Sequence, residues 1–303
     1  MLISHNLHLL RILRYTWKVD LVMIITCAAT YYAREHIVSS AIQIPPTMAT
    51  LLGTAIAFFI GFNNNQAYVR WWEARIIWGG LVNDSRSWAR NLLQYTVGGN
   101  SSESELLSIK RRMIFRQISF VYSLKESLRG TADPYYKKYL DEQEKLNISH
   151  ETNVSNAILT LHSKDLQKLS SSQCIDGFRF MQLNQFITAF TENMGKCERI
   201  KNTVFPTNYI YFTRLFIWAL VIFTTLILSH LIGVWAILIG WIVGFVFHVA
   251  HQNGMSLMEP FDDIPFGVPL NQMSRTIEIN LLQMLGENDI PEPVKPINNE
   301  YIM

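Results

Sequence analysis

Hydrophobic positions along this chain fall into long uninterrupted blocks, and the polar stretches between them repeat with the period of a helix. The first block, Leu21 to Ala33, is short and is followed at once by Arg34, Glu35 and His36. Its length suits the core of a signal peptide. Its place behind Trp17, Lys18 and Asp20, with no convincing cleavage site, makes a retained membrane helix the expectation. From Thr47 to Val69 no side chain is charged, and at about 1.5 Å per residue this run spans roughly 35 Å, enough for a hydrocarbon core of about 30 Å. Residues 215 to 247 also lack Asp, Glu, Lys and Arg. As one helix they would run roughly 50 Å, more than a bilayer needs. Ser229 to Gly233 is the natural break, so this block predicts two spans and a very short turn.

The region from about 80 to 208 reads as amphipathic helices near 81–97, 103–129, 152–170 and 173–201, with Leu146 to Asn156 as a loop. Pro45-Pro46 and Asp133-Pro134-Tyr135-Tyr136 are turn or helix-start signals. There is no strand alternation of useful length and no internal repeat. The expected fold is therefore all-α: a polytopic membrane protein with four transmembrane segments and a helical cytoplasmic region. Its expected divisions are 1–79 (N-terminal segment and first two spans), 80–208 (helical cytoplasmic region), 209–250 (third and fourth spans) and 251–303 (C-terminal helix and tail).

Sidedness follows from the basic residues that flank the spans. Arg11, Arg14 and Lys18 precede the first span, and Arg70 and Arg75 follow the second. The first connection holds only Arg34, and the last turn holds no Lys or Arg. Both termini and the middle region are expected in the cytoplasm, in a multi-pass protein of the cell (inner) membrane. On that topology the sequons at Asn100, Asn147 and Asn153 carry no meaning.

Composition changes this picture little. A hydrophobic content of 49% with mean hydropathy +0.13 suits a part-membrane, part-aqueous protein in contact with membrane lipid. A net charge of +2, with no basic block interleaved with aromatics, gives no nucleic-acid partner. The three cysteines, Cys27, Cys174 and Cys197, have neither metal nor redox spacing. No nucleophile elbow, phosphate loop or dinucleotide fingerprint is present, so no enzyme and no cofactor are expected.

Thr47 to Val69 carries the candidate chemistry. Gly53, Ala57 and Gly61 make a stripe of small residues that lets a neighbouring backbone approach. Thr54, Phe58 and Phe62 recur one residue on, and Asn65 follows three later. A ring of phenylalanines from several subunits makes a dry constriction; ring edges favour anions and ring faces cations. Ordinary membrane packing is the plainer alternative. The cluster Tyr68, Trp71, Trp72, Arg75 and Trp78 fits either a girdle that fixes this helix or an interfacial aromatic belt. Arg70 and Glu73 are spaced to pair. His248 and His251 share one helix face, with Glu259 eight residues beyond the second. They fit a metal set only loosely, and a histidine pair lining an aqueous cavity is the commoner outcome, with pH sensitivity as its consequence.

Four blocks in order, GFNNNQAYVRWWEARIIWGG, CERIKNTVFPTNY (Cys197 to Tyr209), MEPFDDIPFGVPLNQM (Met258 to Met273) and RTIEINLLQMLGE (Arg275 to Glu287), resemble the signature of the bestrophin family of pentameric ion channels. The resemblance covers about residues 5 to 290. It implies a homopentamer that passively conducts small monovalent ions, chloride slightly favoured over a monovalent cation. It places Thr54, Phe58 and Phe62 at the pore neck, with Asn63 and Asn65 at its vestibule. Counting back from Cys197 puts Met181 and Gln185 at a cytoplasmic constriction. Thr54 stands where an aliphatic residue is usual. Asn63 stands where bacterial relatives commonly carry Arg, which is expected to weaken anion preference. Glu259 to Pro265 holds only three carboxylates and no acidic run, so calcium activation does not carry over. Two readings from other classes stay open: a membrane scaffold, and a membrane-embedded metal enzyme using His248, His251 and Glu259, neither conducting.

Overall fold

A computed structural model describes residues 9–36, 45–100, 102–131, 134–204, 207–297 and 301. Both chain ends, the 37–44 connection and the Arg11 side chain, on which the expected sidedness partly rests, lie outside the described residues, as does Asp133. The elements are α1 (Leu9–His36), α2 (Pro46–Tyr95), α3 (Glu103–Arg129), a 3-10 helix (Pro134–Tyr139), α4 (Glu142–Ser149), α5 (Val154–Ser171), α6 (Gly177–Asn202), α7 (Thr207–Ile232), α8 (Trp235–Met255) and α9 (Leu270–Leu285).

Helix α2 is 50 residues long, about 75 Å at the usual rise. The amphipathic helix expected near 81–97 is its last part, because no proline interrupts the chain after Pro46. Its final carbonyls are taken by cations: Lys110 Nζ donates to Leu93 O at 3.1 Å and Thr96 O at 2.9 Å, and Arg179 donates to Tyr95 O at 3.0 Å. Positive charge at a helix C-terminus also opposes its macrodipole favourably. Gly99 follows, where a Cβ would lie 2.4 Å from Ser172 O.

The expected loop Leu146–Asn156 is shorter than its polarity suggests. Asp141 and Glu144 form a reciprocal capping box that starts α4, and Asn153 caps α5, so only His150 to Asn153 lies outside helix. The break in the last apolar block falls where expected. Gly233 adopts φ 59°, the left-handed conformation glycine tolerates, between α7 and α8.

The chain divides into two units, and α2 contributes to both. Among the described residues, one unit comprises 9–70 and 204–258, that is α1, the first half of α2, α7 and α8. Helices α2, α7 and α8 are long and apolar enough to cross a membrane. The more polar α1 packs on α7 and α8, burying Met23 and Cys27 beside Val221. Close approach depends on two glycines of α8. A Cβ on Gly240 would lie 2.2 Å from Thr225 Oγ1, and one on Gly244 would lie 2.3 Å from Met23 Sδ and 2.5 Å from Val221 Cγ2. This is small-residue packing of the kind membrane helices use. Gly244→Val should lower stability by roughly 1–3 kcal/mol through overpacking, read as reduced thermal stability in detergent; an unchanged melting temperature would deny that contact its importance.

The other unit comprises 71–203, 259–297 and residue 301. Its core is built round α3, with Trp78, Trp88, Phe120 and Phe190 fully buried. Two polar clusters are buried with it. Arg116 pairs with Glu144 and, at 2.7 Å, with Asp165. On α9, Glu278 is fully buried and accepts hydrogen bonds from the hydroxyls of Tyr122, Tyr135 and Tyr139. These bonds tie α9 to α3 and the 3-10 helix.

Candidate functional site

Between Thr47 and Val69, α2 has one face committed to its own unit and one left open. Ile56, Ile60, Asn63 and Ala67 are buried, at spacings of three and four residues that define one helix face. Ile56 and Ile60 pack against Ile217 and Leu220 of α7. On the far side, Thr54, Phe58, Phe62 and Asn65 are exposed. Phe58 and Phe62 keep 64% and 54% of their surface open, and their rings touch at 4.6 Å between centroids, tilted by 57°. A single chain thus presents a contiguous aromatic strip that stays open among the described residues. Thr54 is less polar than its composition suggests: its hydroxyl donates to Thr50 O at 2.9 Å, which uses its proton within the helix.

The amide run splits by direction. Asn65 lies exposed with the phenylalanines. Asn63 does not: it is 5% exposed, and its Nδ2 lies 3.5 Å from Thr213 Oγ1 on α7. Its placement beside the exposed phenylalanines is therefore corrected for this subunit. Consecutive residues on a helix are about 100° apart, so Asn63 and Asn65 are separated by roughly 200°. The burial pattern decides which of them faces outward. Asn63→Arg should now destabilise the fold by roughly 3–5 kcal/mol, the cost of an uncompensated buried charge, measured as a lowered unfolding midpoint. A well-folded variant whose reversal potential moved toward chloride would restore the vestibule assignment. Asn64, which the sequence did not single out, donates from Nδ2 to Ala250 O on α8 at 2.9 Å.

The aromatic cluster also divides. Tyr68 and Trp72 are exposed, whereas Trp78 is fully buried and Trp71 Nε1 donates to Phe266 O at 2.8 Å. Glu73 bonds Arg199 at 2.7 Å. On α6, Met181 is 70% exposed and Phe178, one turn earlier, 88%; Gln185 is exposed with them. Cys197 lies in the core, where burial pushes its thiol up to about 12, so it stays protonated and inert.

His248 and His251 are buried on α8, while Glu259 belongs to the other unit, where Lys201 lies 3.9 Å away. Among the described residues, no three His, Cys, Asp or Glu side chains converge to hold a metal. Asp262 pairs with Lys201 at 3.2 Å and Asp263 with Arg129 at 2.9 Å, so all three carboxylates of this turn have internal cations.

Comparison with known proteins identifies the family. A family model described as Bacterial/Fungal Bestrophin protein matches residues 9–283. The chain belongs to the bestrophin family. Among its relatives is the Voltage-dependent anion channel-forming protein YneE of Salmonella typhi, 28% identical over 80% of this chain and 77% of that protein. Another is the Voltage-dependent anion channel-forming protein RSc3414 of Ralstonia nicotianae, 27% identical over 83% of this chain and 81% of its own length. A crystal structure of a bacterial Bestrophin homolog from Klebsiella pneumoniae superposes with TM-score 0.80, covering 91% of this chain and 99% of that one at 24% identity. The bestrophin fold is thus shared along nearly the whole chain.

Proposed function

We propose that this bestrophin is a subunit of an anion channel, in which several copies place the exposed strip Thr54, Phe58 and Phe62 of α2 around a common axis. The observation that carries the reading is that strip: large aromatic side chains left open on a helix that is long and apolar enough to span a membrane. Around an axis they form a dry neck where an ion sheds part of its water, and Asn65 offers amide donors where the neck opens. The names of its relatives favour an anion, and chloride is the small monovalent anion assigned. With Asn63 turned inward, the argument from a missing positive charge no longer opposes that choice.

A homopentamer, the assembly implied by the resemblance, is the proposed stoichiometry. Met181 and Gln185, exposed on α6, are proposed as a second, cytoplasmic constriction. The proposed location is the cell (inner) membrane with both termini cytoplasmic. Internal pairing of Glu259, Asp262 and Asp263 with Lys201 and Arg129 supports conduction without calcium, since that ion takes 6–8 oxygen ligands and these carboxylates are already engaged.

The test is the reversal potential of purified protein in a planar bilayer under a potassium chloride gradient. Reversal at the chloride potential is expected. Reversal at the potassium potential would keep the channel and overturn its selectivity. Absence of current from well-folded oligomers would overturn conduction in favour of a scaffold.

A further inference from the structure

The membrane unit contains a polar layer that ion conduction through the aromatic strip does not use. Asp20 of α1 is 6% exposed, and His248 and His251 of α8 are 9% and 1% exposed. Thr16 donates to Asp20 Oδ2 at 2.6 Å, which leaves Oδ1 buried and unpartnered; His251 Nε2 and Asn64 Oδ1 are buried and unpartnered too. Ionisable groups inside a membrane unit are costly and are retained where they act.

Their position links them to the neck. Asn64 follows Phe62 by two residues on α2. It bonds Ala250 O, the carbonyl just before His251, and it is packed so closely on Gly254 that a Cβ there would lie 1.9 Å from Asn64 Oδ1. Helix α8 therefore grips α2 directly below the aromatic strip, with His251 inside the grip.

We propose that the Asp20–His248–His251 layer is a proton-responsive coupling between α8 and the pore helix, and that it changes conduction on acidification. Among the described residues, the charged groups facing the two histidines are Asp20 from α1, Arg214 from α7 and each other on α8; α2 brings the uncharged Asn64 against Ala250, next to His251. A first proton on His248 is balanced by Asp20. A second proton, on His251, meets Arg214 and a charged His248 with no carboxylate facing it. That repulsion pushes α8 from its neighbours and loosens the bond from Asn64 to Ala250.

The proposal rests on conduction through the strip, so its test uses two independent readouts. In planar bilayers the wild-type current should change about fivefold or more between about pH 7.5 and 4, within the range of ordinary allosteric coupling. His251→Gln should conduct and lose that dependence; His248→Gln should shift it. In parallel, hydrogen exchange of the 245–258 segment of the intact detergent-solubilised protein, corrected for intrinsic rates, should accelerate on acidification in the wild type and stay level in His251→Gln. A pH-independent current with level exchange overturns the coupling and leaves the channel standing, as does a dependence that survives His251→Gln. Accelerated exchange without any current supports the proton-responsive layer and refutes conduction. Should His251→Gln fail to fold, a level wild-type exchange profile by itself overturns the proposal.

Discussion

Phe58→Ala should raise single-channel conductance by about tenfold, equivalent to removing roughly 1.4 kcal/mol of barrier. The ring is 64% exposed and stands directly against Phe62. Its removal therefore costs the subunit little stability while widening the neck once per subunit. Shedding of water by an ion is costly in a dry aromatic ring and mild in a wide, wet one. The same change should shift the ratio of anion to cation permeability, because the ring whose edge would favour an anion and whose face a cation is gone. Phe62→Ala should act in the same direction, and the two should be less than additive because the rings touch. Single-channel recording with a reversal-potential measurement checks both effects. Unchanged conductance in a well-folded Phe58→Ala protein would remove the strip from the ion path.

The second large effect is on stability. Arg116→Ala should destabilise the non-membrane unit by roughly 3–5 kcal/mol, because Glu144 stays buried without the cation it pairs with and Asp165 keeps only Arg112 and Lys168. Arg116 and Asp165 are 6% and 2% exposed at their side chains, and Arg116 also bonds Leu161 O at 3.0 Å. Burial alone would push the Asp165 carboxyl up, but Arg116 and Arg112 outweigh it and hold it below the usual carboxylate range. A carboxylate lowered on folding adds stability at pH above its unfolded value, and that stability is lost as pH falls through the folded one. Without Arg116 only Arg112 and Lys168 oppose burial, so the Asp165 carboxyl rises toward the usual range and acid unfolding of the variant should begin at higher pH than in the wild type. His162 adds to the acid sensitivity of the wild type itself. Burial, then the Arg116 charge, push it down to about 3. It stays neutral when folded and gains a proton on unfolding below about pH 6.5, so stability falls as pH drops through that window. Denaturation followed by tryptophan fluorescence at several pH values measures these effects, since Trp88 packs edge-on against His162 at 4.8 Å. An acid transition at the same pH in both proteins would show that Asp165 does not depend on Arg116.

Individual residues show where sequence reading reached and where it stopped. Gly233 marked the turn between α7 and α8 because a left-handed glycine in an otherwise unbroken apolar run has few other uses. The capping box at Asp141 and Glu144 was equally local, yet the polarity of the segment hid α4. Asn63 was misplaced because a residue type does not carry a direction, and three consecutive amides cover most of a helix circumference. Asn64 and Gly254, Arg116 with Asp165, and Glu278 with its three tyrosines had no local signal. Their partners lie tens to hundreds of residues away, and nothing in spacing along the chain selects them.

What the chain determines alone is what periodicity, length and side-chain chemistry impose within one segment. These are the membrane-spanning blocks, the helical character of the middle region, and the stripe Thr54, Phe58 and Phe62. Its family was also legible, from four motifs in order. Tertiary structure decided which face of α2 is spent on its own bundle, and hence that Asn65 and not Asn63 accompanies the phenylalanines. It also buried Asp20, His248 and His251 in the same unit as Asn64. The reason is physical: propensity and hydrophobic run-length act between neighbours in sequence, whereas burial and pairing depend on which distant surfaces meet.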